Sequence, residues 1–185
     1  MTESSGWLRG VEGVLSGPDL TLTVERLAEW QLSDGMMPWY PGGHADPWNH
    51  VEALMALMLD GRKAEAEAGF AWLERLQHAD GSWHQYYLAG GEVEEAKFDA
   101  NCIAYVAAGL YHHWLLFEDR SFLDANWGML SGAVDFVRGL QTDRGEVFWA
   151  RKPDGTPFEF ALLTGSSSIT HSLRCAVAVA EVLGK

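Results

Sequence analysis

The chain has 185 residues, 48% of them hydrophobic and nine of them Trp, which suits one globular domain with a sizeable core. Its formal net charge of -13 argues against nucleic acid or an anionic membrane as partner, since both need a basic surface. Cys102 and Cys175 lie in apolar runs and read as reduced core residues, so a cytoplasmic location is expected.

Residues 1–19 are rich in Gly and Ser, with no basic-then-apolar signal pattern, and Gly6–Leu15 has room for a short helix. From Leu20 to Leu32 the apolar positions Leu20, Val24, Leu27, Ala28 and Trp30 recur at helical spacing, with Thr21 or Thr23 as cap. A loop full of turn-formers follows, and then Asp46-Pro47 reads as an N-cap with Pro in the first turn of a helix over 47–59. A third helix spans about 62–78, a fourth runs from Asp99 to Phe117, a fifth from Arg120 to Leu140, and a last one from the Ser166–Ser168 run to Gly184. No apolar run reaches the ~18 residues of a membrane span.

The pattern Gln-x-x-x-Gly closes the first, third and fifth helices, at Gln31–Gly35, Gln77–Gly81 and Gln141–Gly145, and a Trp follows each time: Trp39, Trp83 and Trp149. Those helices are amphipathic and charged. The second, fourth and sixth are more uniformly apolar and rich in Ala. An outer ring facing water and an inner ring buried against it is what an all-α, α/α toroid requires. The expected organisation is one domain over 1–185, with hairpins at 20–60, 62–117 and 120–184. Three hairpins are half of a six-hairpin barrel, so closure is expected through a homodimer or through a partner chain that completes the toroid.

Each long loop then leads from an outer helix to the start of an inner one, so the inner-helix N-termini share one end. Asp46, Glu52 and Asp99 are the candidate catalytic carboxylates, with Glu159 a further candidate. Paired carboxyls are what glycoside hydrolysis uses, although Asp46 and Asp99 also read as plain N-caps. Trp39, Tyr40, Trp48, Trp83, Tyr87 and Trp149 are candidate sugar-stacking aromatics. Asn49, His50, Asn101 and Glu146 are candidate polar contacts. Trp83 reads more simply as a brace between a helix end and its turn. No metal-ligand spacing is present, since His50 and Glu52 do not share a helix face and neither do His112 and His113. No cofactor is expected.

Residues 72–83, Trp-Leu-x-x-x-Gln-x-x-x-Gly-x-Trp, resemble the QW repeat of squalene–hopene cyclases and prenyltransferase-type α/α toroids. The other two copies are looser, with three residues between Gly and Trp. This likeness implies architecture and not chemistry, because the DxDD motif of those cyclases is absent. The strings GEVFWA at 145–150, ALLTGSSSI at 161–169 and DAN at 99–101 are similar to (α/α)6 glucoamylase-like glycoside hydrolases. They also resemble a longer, actinobacterial-type family, whose N-terminal half this chain matches. The resemblance implies a glycoside hydrolase acting on an oligosaccharide. The alternatives are a terpenoid-cyclase-like or prenyl-binding protein, and a non-catalytic toroid half acting as an assembly module.

Overall fold

The computed structural model describes residues 10–185. Within them the helices are α1 (Gly17–Trp30), α2 (Pro47–Leu59), α3 (Lys63–Leu76), α4 (Ala100–Ala104), α5 (Val106–Phe117), α6 (Arg120–Ala125), α7 (Trp127–Arg138) and α8 (Leu163–Leu183). Short strands β1 (Tyr86–Tyr87), β2 (Val93–Glu95), β3 (Phe98–Asp99) and β4 (Ala150–Arg151) sit in the connecting loops. β1 pairs with β2 and β3 with β4, both antiparallel.

The hairpin pattern expected from the sequence is present. α4 and α5 together form one inner helix, jointed at Tyr105, whose backbone stays in the right-handed helical region (φ -69°, ψ -17°). α6 and α7 form one outer helix, broken at Asn126, whose side-chain amide donates to the Phe122 carbonyl at 2.9 Å. The inner helices pack on one another, α2 on α5 and α5 on α8. Leu54, Leu57, Met58, Phe70, Ile103 and Leu110 are fully buried between the layers.

Several element ends differ from the expectation. α1 starts at Gly17 rather than Leu20, and neither Thr21 nor Thr23 caps it. Ser16 is the cap, in a reciprocal box with Asp19, and Pro18 sits in the first turn, where a missing N–H costs nothing. Thr23 instead donates to the Asp19 carbonyl. Of the suggested helix at Gly6–Leu15, positions 6–9 lie outside the described residues, and 10–15 form a turn closed by a Val11–Leu15 bridge. α8 begins at Leu163, so Ser166–Ser168 lie inside its first turns rather than capping it; the Ser166 N–H already donates to Leu162.

The three Gln-x-x-x-Gly copies share one geometry. Each Gln side chain donates to the carbonyl of its own Gly, at 3.1 Å for Gln31–Gly35, 3.0 Å for Gln77–Gly81 and 2.9 Å for Gln141–Gly145. Each Gly has a positive φ, 95°, 85° and 98° in turn, which closes the turn without strain. The first two Gln side chains also donate to the next outer helix, Gln31 to the Glu65 carbonyl and Gln77 to the Met129 carbonyl, both at 2.9 Å. The motif thus staples successive outer helices to each other. At about 1 kcal/mol per hydrogen bond, each staple contributes modestly but fixes the spacing of the repeat.

The connections are unequal. Residues 60–62 and 118–119 join inner to outer helices tightly, with Gly61 at φ 78° and Glu118 at φ 48°. The long loops 31–46, 77–99 and 139–162 lead from outer to inner helices and meet at one end. Ala45 and Tyr87 exchange two backbone hydrogen bonds of 2.9 Å, joining the first loop to the second. The β3–β4 ladder and the Ala100 N–H to Trp149 carbonyl bond, 2.9 Å, join the second to the third.

Candidate functional site

Two of the inner helices begin in the same way. A residue pinned in a strand pairing is followed by an Asp whose side chain caps the helix. Asp46 Oδ1 accepts from the Trp48 and Asn49 N–H groups, at 2.8 and 3.0 Å. Asp99 Oδ1 accepts from Asn101 and Cys102, at 2.9 and 3.2 Å. At the third start the cap position holds Leu162, which has no such side chain.

Asp46 accepts two further bonds on Oδ2, from the Trp39 indole at 2.5 Å and from the Asn49 amide at 2.8 Å. Four donors fill the acceptor capacity of a carboxylate. The residue is therefore buried and fully satisfied, and its effect is to fix Trp39 and Asn49 at the rim. Asp99 keeps more freedom. Burial raises its pKa, and the two cap bonds, Lys97 and the Trp149 side chain oppose that only in part. Burial pushes the Cys102 thiol well up, and the charges of Asp99 and then Asp46 add to that rise.

Glu52 lies deeper on the exposed face of α2, one turn past Trp48. It accepts a short hydrogen bond from the Tyr105 hydroxyl. Burial first, and then Glu52, pushes the Tyr105 pKa up to about 12. Trp48 meets the edge of Tyr105 at 5.6 Å. His112, two turns beyond Tyr105, is held neutral to lower pH by burial, against the opposing charge of Glu52. Tyr105 was not among the residues singled out from the sequence. Its signal was there, since Asn101, Tyr105 and His112 lie on one helical row, but the apolar character of the whole segment hid it.

Apart from the Trp48–Tyr105 pair, the rim aromatics fall into two groups. Trp39, 46% exposed, stands edge-on to His44 and Tyr86, and those two stack at 4.2 Å. Tyr40 lies beside His44 and is also exposed. Trp149 stacks on Phe160 at 5.4 Å, with the Lys97 ammonium 4.4 Å from its ring. Asn101 Oδ1 is buried and without a partner among the described residues, as is Gln85 Oε1.

Four expected site residues are placed differently. His50 is buried, taking the Met37 N–H on Nδ1 and facing the Gly69 carbonyl with Nε2, both at 3.0 Å, so it ties the first loop and α3 to α2. Trp83 is buried, and its indole donates to the Leu73 carbonyl at 2.8 Å, which makes it the brace. Tyr87 is buried, with its hydroxyl accepting from the His84 N–H. Glu146 belongs to the third Gln–Gly turn, where its own turn's hydrogen bonds lower its pKa and Arg144 pairs with it at 2.5 Å. The spacing difference in the sequence explains the contrast among the tryptophans. One residue between Gly and Trp folds Trp83 back onto its helix, whereas three let Trp39 and Trp149 reach the aspartates.

Among the described residues, no three His, Cys, Asp or Glu side chains converge as metal ligands, and no helix is long and apolar enough to cross a membrane.

No family model matches the chain. It is 45% identical over 176 residues to an MMP endo-(1,4)-3-O-methyl-alpha-D-mannosidase of Mycolicibacterium hassiacum, covering 95% of this chain and 48% of that protein. The chain thus spans about half the length of that relative. Among solved structures, it resembles a cellobiose 2-epimerase from Spirochaeta thermophila with a TM-score of 0.62 at 17% identity, over 88% of this chain and 47% of that one. It also resembles endoglucanase Cel10, a family 8 glycosyl hydrolase of Klebsiella pneumoniae, with a TM-score of 0.57 at 12% identity, over 70% of this chain and 44% of that one. At such identities the structures speak for the fold alone: an α/α toroid, of which this chain is three hairpins. The likeness to squalene cyclases that the QW-type string suggests is not shown by these relatives.

Proposed function

We propose that the chain carries the loop face of a glycoside hydrolase that cleaves 1,4-linked, 3-O-methylated α-mannosides. The observation that carries this is the pairing of a rim of aromatics with carboxylates at the starts of the inner helices. It is supported by the 45% identity to a protein named for that activity. A methylated sugar presents a less polar face than a free one, and Trp39, Tyr40 and Trp48 offer the flat apolar surface that suits it. Asn101, half-buried at the start of α4 beside Asp99, adds a side-chain amide to the same end.

In this reading Asp99, whose pKa burial raises, gives its proton to the leaving oxygen as general acid. Glu52, oriented by Tyr105, takes the proton of the attacking water as general base. Asp46 sits about 9 Å above Glu52 along the helix axis, from 1.5 Å of rise per residue. There it holds Trp39 and Asn49 against the sugar and adds negative charge opposite the oxocarbenium-like transition state. A prenyl binder needs a dry, apolar cavity wall, which this Glu–Tyr–His row does not provide.

The test is hydrolysis of a 1,4-linked 3-O-methyl-α-mannan oligosaccharide, followed by mass spectrometry. Asp99→Asn keeps the cap, and Glu52→Gln keeps the bond to Tyr105. Each is expected to lower turnover by about 10²-fold or more with the helical circular dichroism unchanged. Binding of the same sugar by calorimetry should weaken in Trp48→Ala. Wild-type turnover in both carboxamide variants removes the assignment.

A further inference from the structure

The outer helices differ at one repeated position. At the first two staples the turn glycine faces forward: a Cβ on Gly35 would lie 2.2 Å from the Ala68 carbonyl oxygen, and one on Gly81 2.0 Å from that of Gly132. The residue two before each Gln lies about 200° round the helix from it, and so faces back to the preceding hairpin. In α3 that residue is Arg75. Its Nη2 donates to the Asp34 carbonyl of the first turn at 2.5 Å, and its Nη1 to the Ala71 carbonyl at 3.1 Å. At the end of α7 the equivalent residue is Gly139, and the equivalent of Asp34 is Asp80. With no side chain at 139, a cleft of about 490 Å³ opens between the turn of the second hairpin and the third loop.

Asp80, Asp135 and Arg151 line this cleft together with Leu140, Phe148 and Pro157. Arg151 is held flat. Its Nη2 donates to Asp80 Oδ2 at 2.5 Å, and its guanidinium carbon lies 4.6 Å from the Phe136 ring centre and 5.0 Å from that of Phe98. Among the described residues Asp80 is its one acceptor, which leaves the Nη1 N–H groups for a ligand. The β3–β4 ladder sets where the cleft lies. Phe98 pairs with Arg151, and Asp99 with Ala150. Successive strand residues point to opposite faces, so Phe98 and Arg151 turn to Phe136 of α7 while Asp99 turns to the start of α4.

The chemistry of the lining selects an uncharged ligand. Each carboxylate is matched by a guanidinium, Asp80 by Arg151 and Asp135 by Arg138, so the cleft has no net charge to hold an ion. Fixed N–H donors, carboxylate acceptors and the half-buried Phe148 ring suit the hydroxyls and the C–H face of a sugar. We infer that this cleft is a second sugar subsite, which holds an uncharged oligosaccharide through Arg151, the two carboxylates and Phe148, on the reverse side of the β3–β4 ladder from Asp99. The identity of the sugar rests on the mannoside reading above. A polymer held at both places stays close to the loop face, which raises its effective concentration there.

The test is NMR titration of the isotope-labelled chain with a 1,4-linked 3-O-methyl-α-mannan oligosaccharide. The amide signals of Gly139, Leu140 and Phe148 and the Arg151 Nε–H are expected to shift saturably. Gly139→Arg puts into the cleft the side chain that α3 carries at 75, at a backbone φ of -63° that any residue adopts. It is expected to weaken binding at those signals by about tenfold or more, with the circular dichroism unchanged. Gly139→Ala, which adds one methyl group, is expected to bind as the wild type does. Wild-type affinity in Gly139→Arg, equal losses in both variants, or signals that stay still in the wild-type protein each overturn the inference. So do shifts of the same signals by inorganic phosphate at or below the sugar's concentration, because the ligand is then an anion. The Trp48 indole signal separates this inference from the proposed function. Movement at Trp48 alone removes the second subsite and leaves the loop-face reading, and movement at Gly139 without Trp48 does the reverse.

Discussion

His50 shows how a residue can look like a ligand in sequence and serve as a strut in the fold. It lies four residues past Asp46 at the start of an inner helix, which made it a candidate contact. Its Nδ1 accepts from Met37, so the neutral form is the one the structure holds, and burial lowers its pKa to about 4. In the unfolded chain the imidazole takes a proton near its ordinary value of 6.5. The unfolded state therefore binds more protons between those values, and stability falls as pH drops from about 6.5 to about 4. At about 1.4 kcal/mol per tenfold change in proton affinity, the loss is about 3 kcal/mol. Urea unfolding across that range should show this loss, and a His50→Gln variant should show a flatter profile. An unchanged profile in the variant would falsify the assignment. What was legible at this scale was backbone chemistry: Asp46 and Asp99 cap their helices as their place before Pro47 and Ala100 suggests. What was not legible was which side chains face inward, because that depends on loops 77–99 and 139–162 pairing with each other.

At the scale of elements, the Gln–Gly repeat was the most readable feature, since a local turn and a helix end leave a fixed spacing in the sequence. Its second half, the bond to the next helix, left only a weak trace in the small residues at Ala68 and Gly132. That distinction is measurable. Gly81→Ala meets both a positive φ and a carbonyl oxygen 2.0 Å away, and is expected to cost about 3 kcal/mol or more. Gly145→Ala meets the backbone cost alone, about 1 kcal/mol. Denaturant midpoints of the two variants compare them, and equal losses would mean that the turn does not press on α7. Helix existence and type were also plain from periodicity. The breaks at Tyr105 and Asn126 and the early start of α8 were not, because helical periodicity runs through the breaks and Leu163–Gly165 carries no capping signal.

For the molecule as a whole, the excess of negative charge sets a condition on stability. Surface pairs such as Arg26–Glu29 and Arg138–Asp135 are largely exposed, and each contributes little. Self-repulsion from a net charge of -13 acts over the whole surface and is screened by salt. Raising sodium chloride from about 20 to about 300 mM, which shortens the Debye length below 10 Å, should therefore raise the Tm. A fall would show that the ion pairs outweigh the repulsion.

The unequal connections have a consequence for how such a protein changes over time. The tight turns at 60–62 and 118–119 are locked to the packing of the bundle: Lys63, next to the first, pairs with Asp119 of the second at 2.7 Å. The loops at the other end carry the aromatics and the carboxylates, and they touch one another more than they touch the helices' far ends. Insertions and substitutions there can remodel what is recognised while the helical frame keeps its register. Mutational tolerance should therefore be polarised along the helix axis, with drift in specificity confined to one end and purifying selection on stability concentrated at the other.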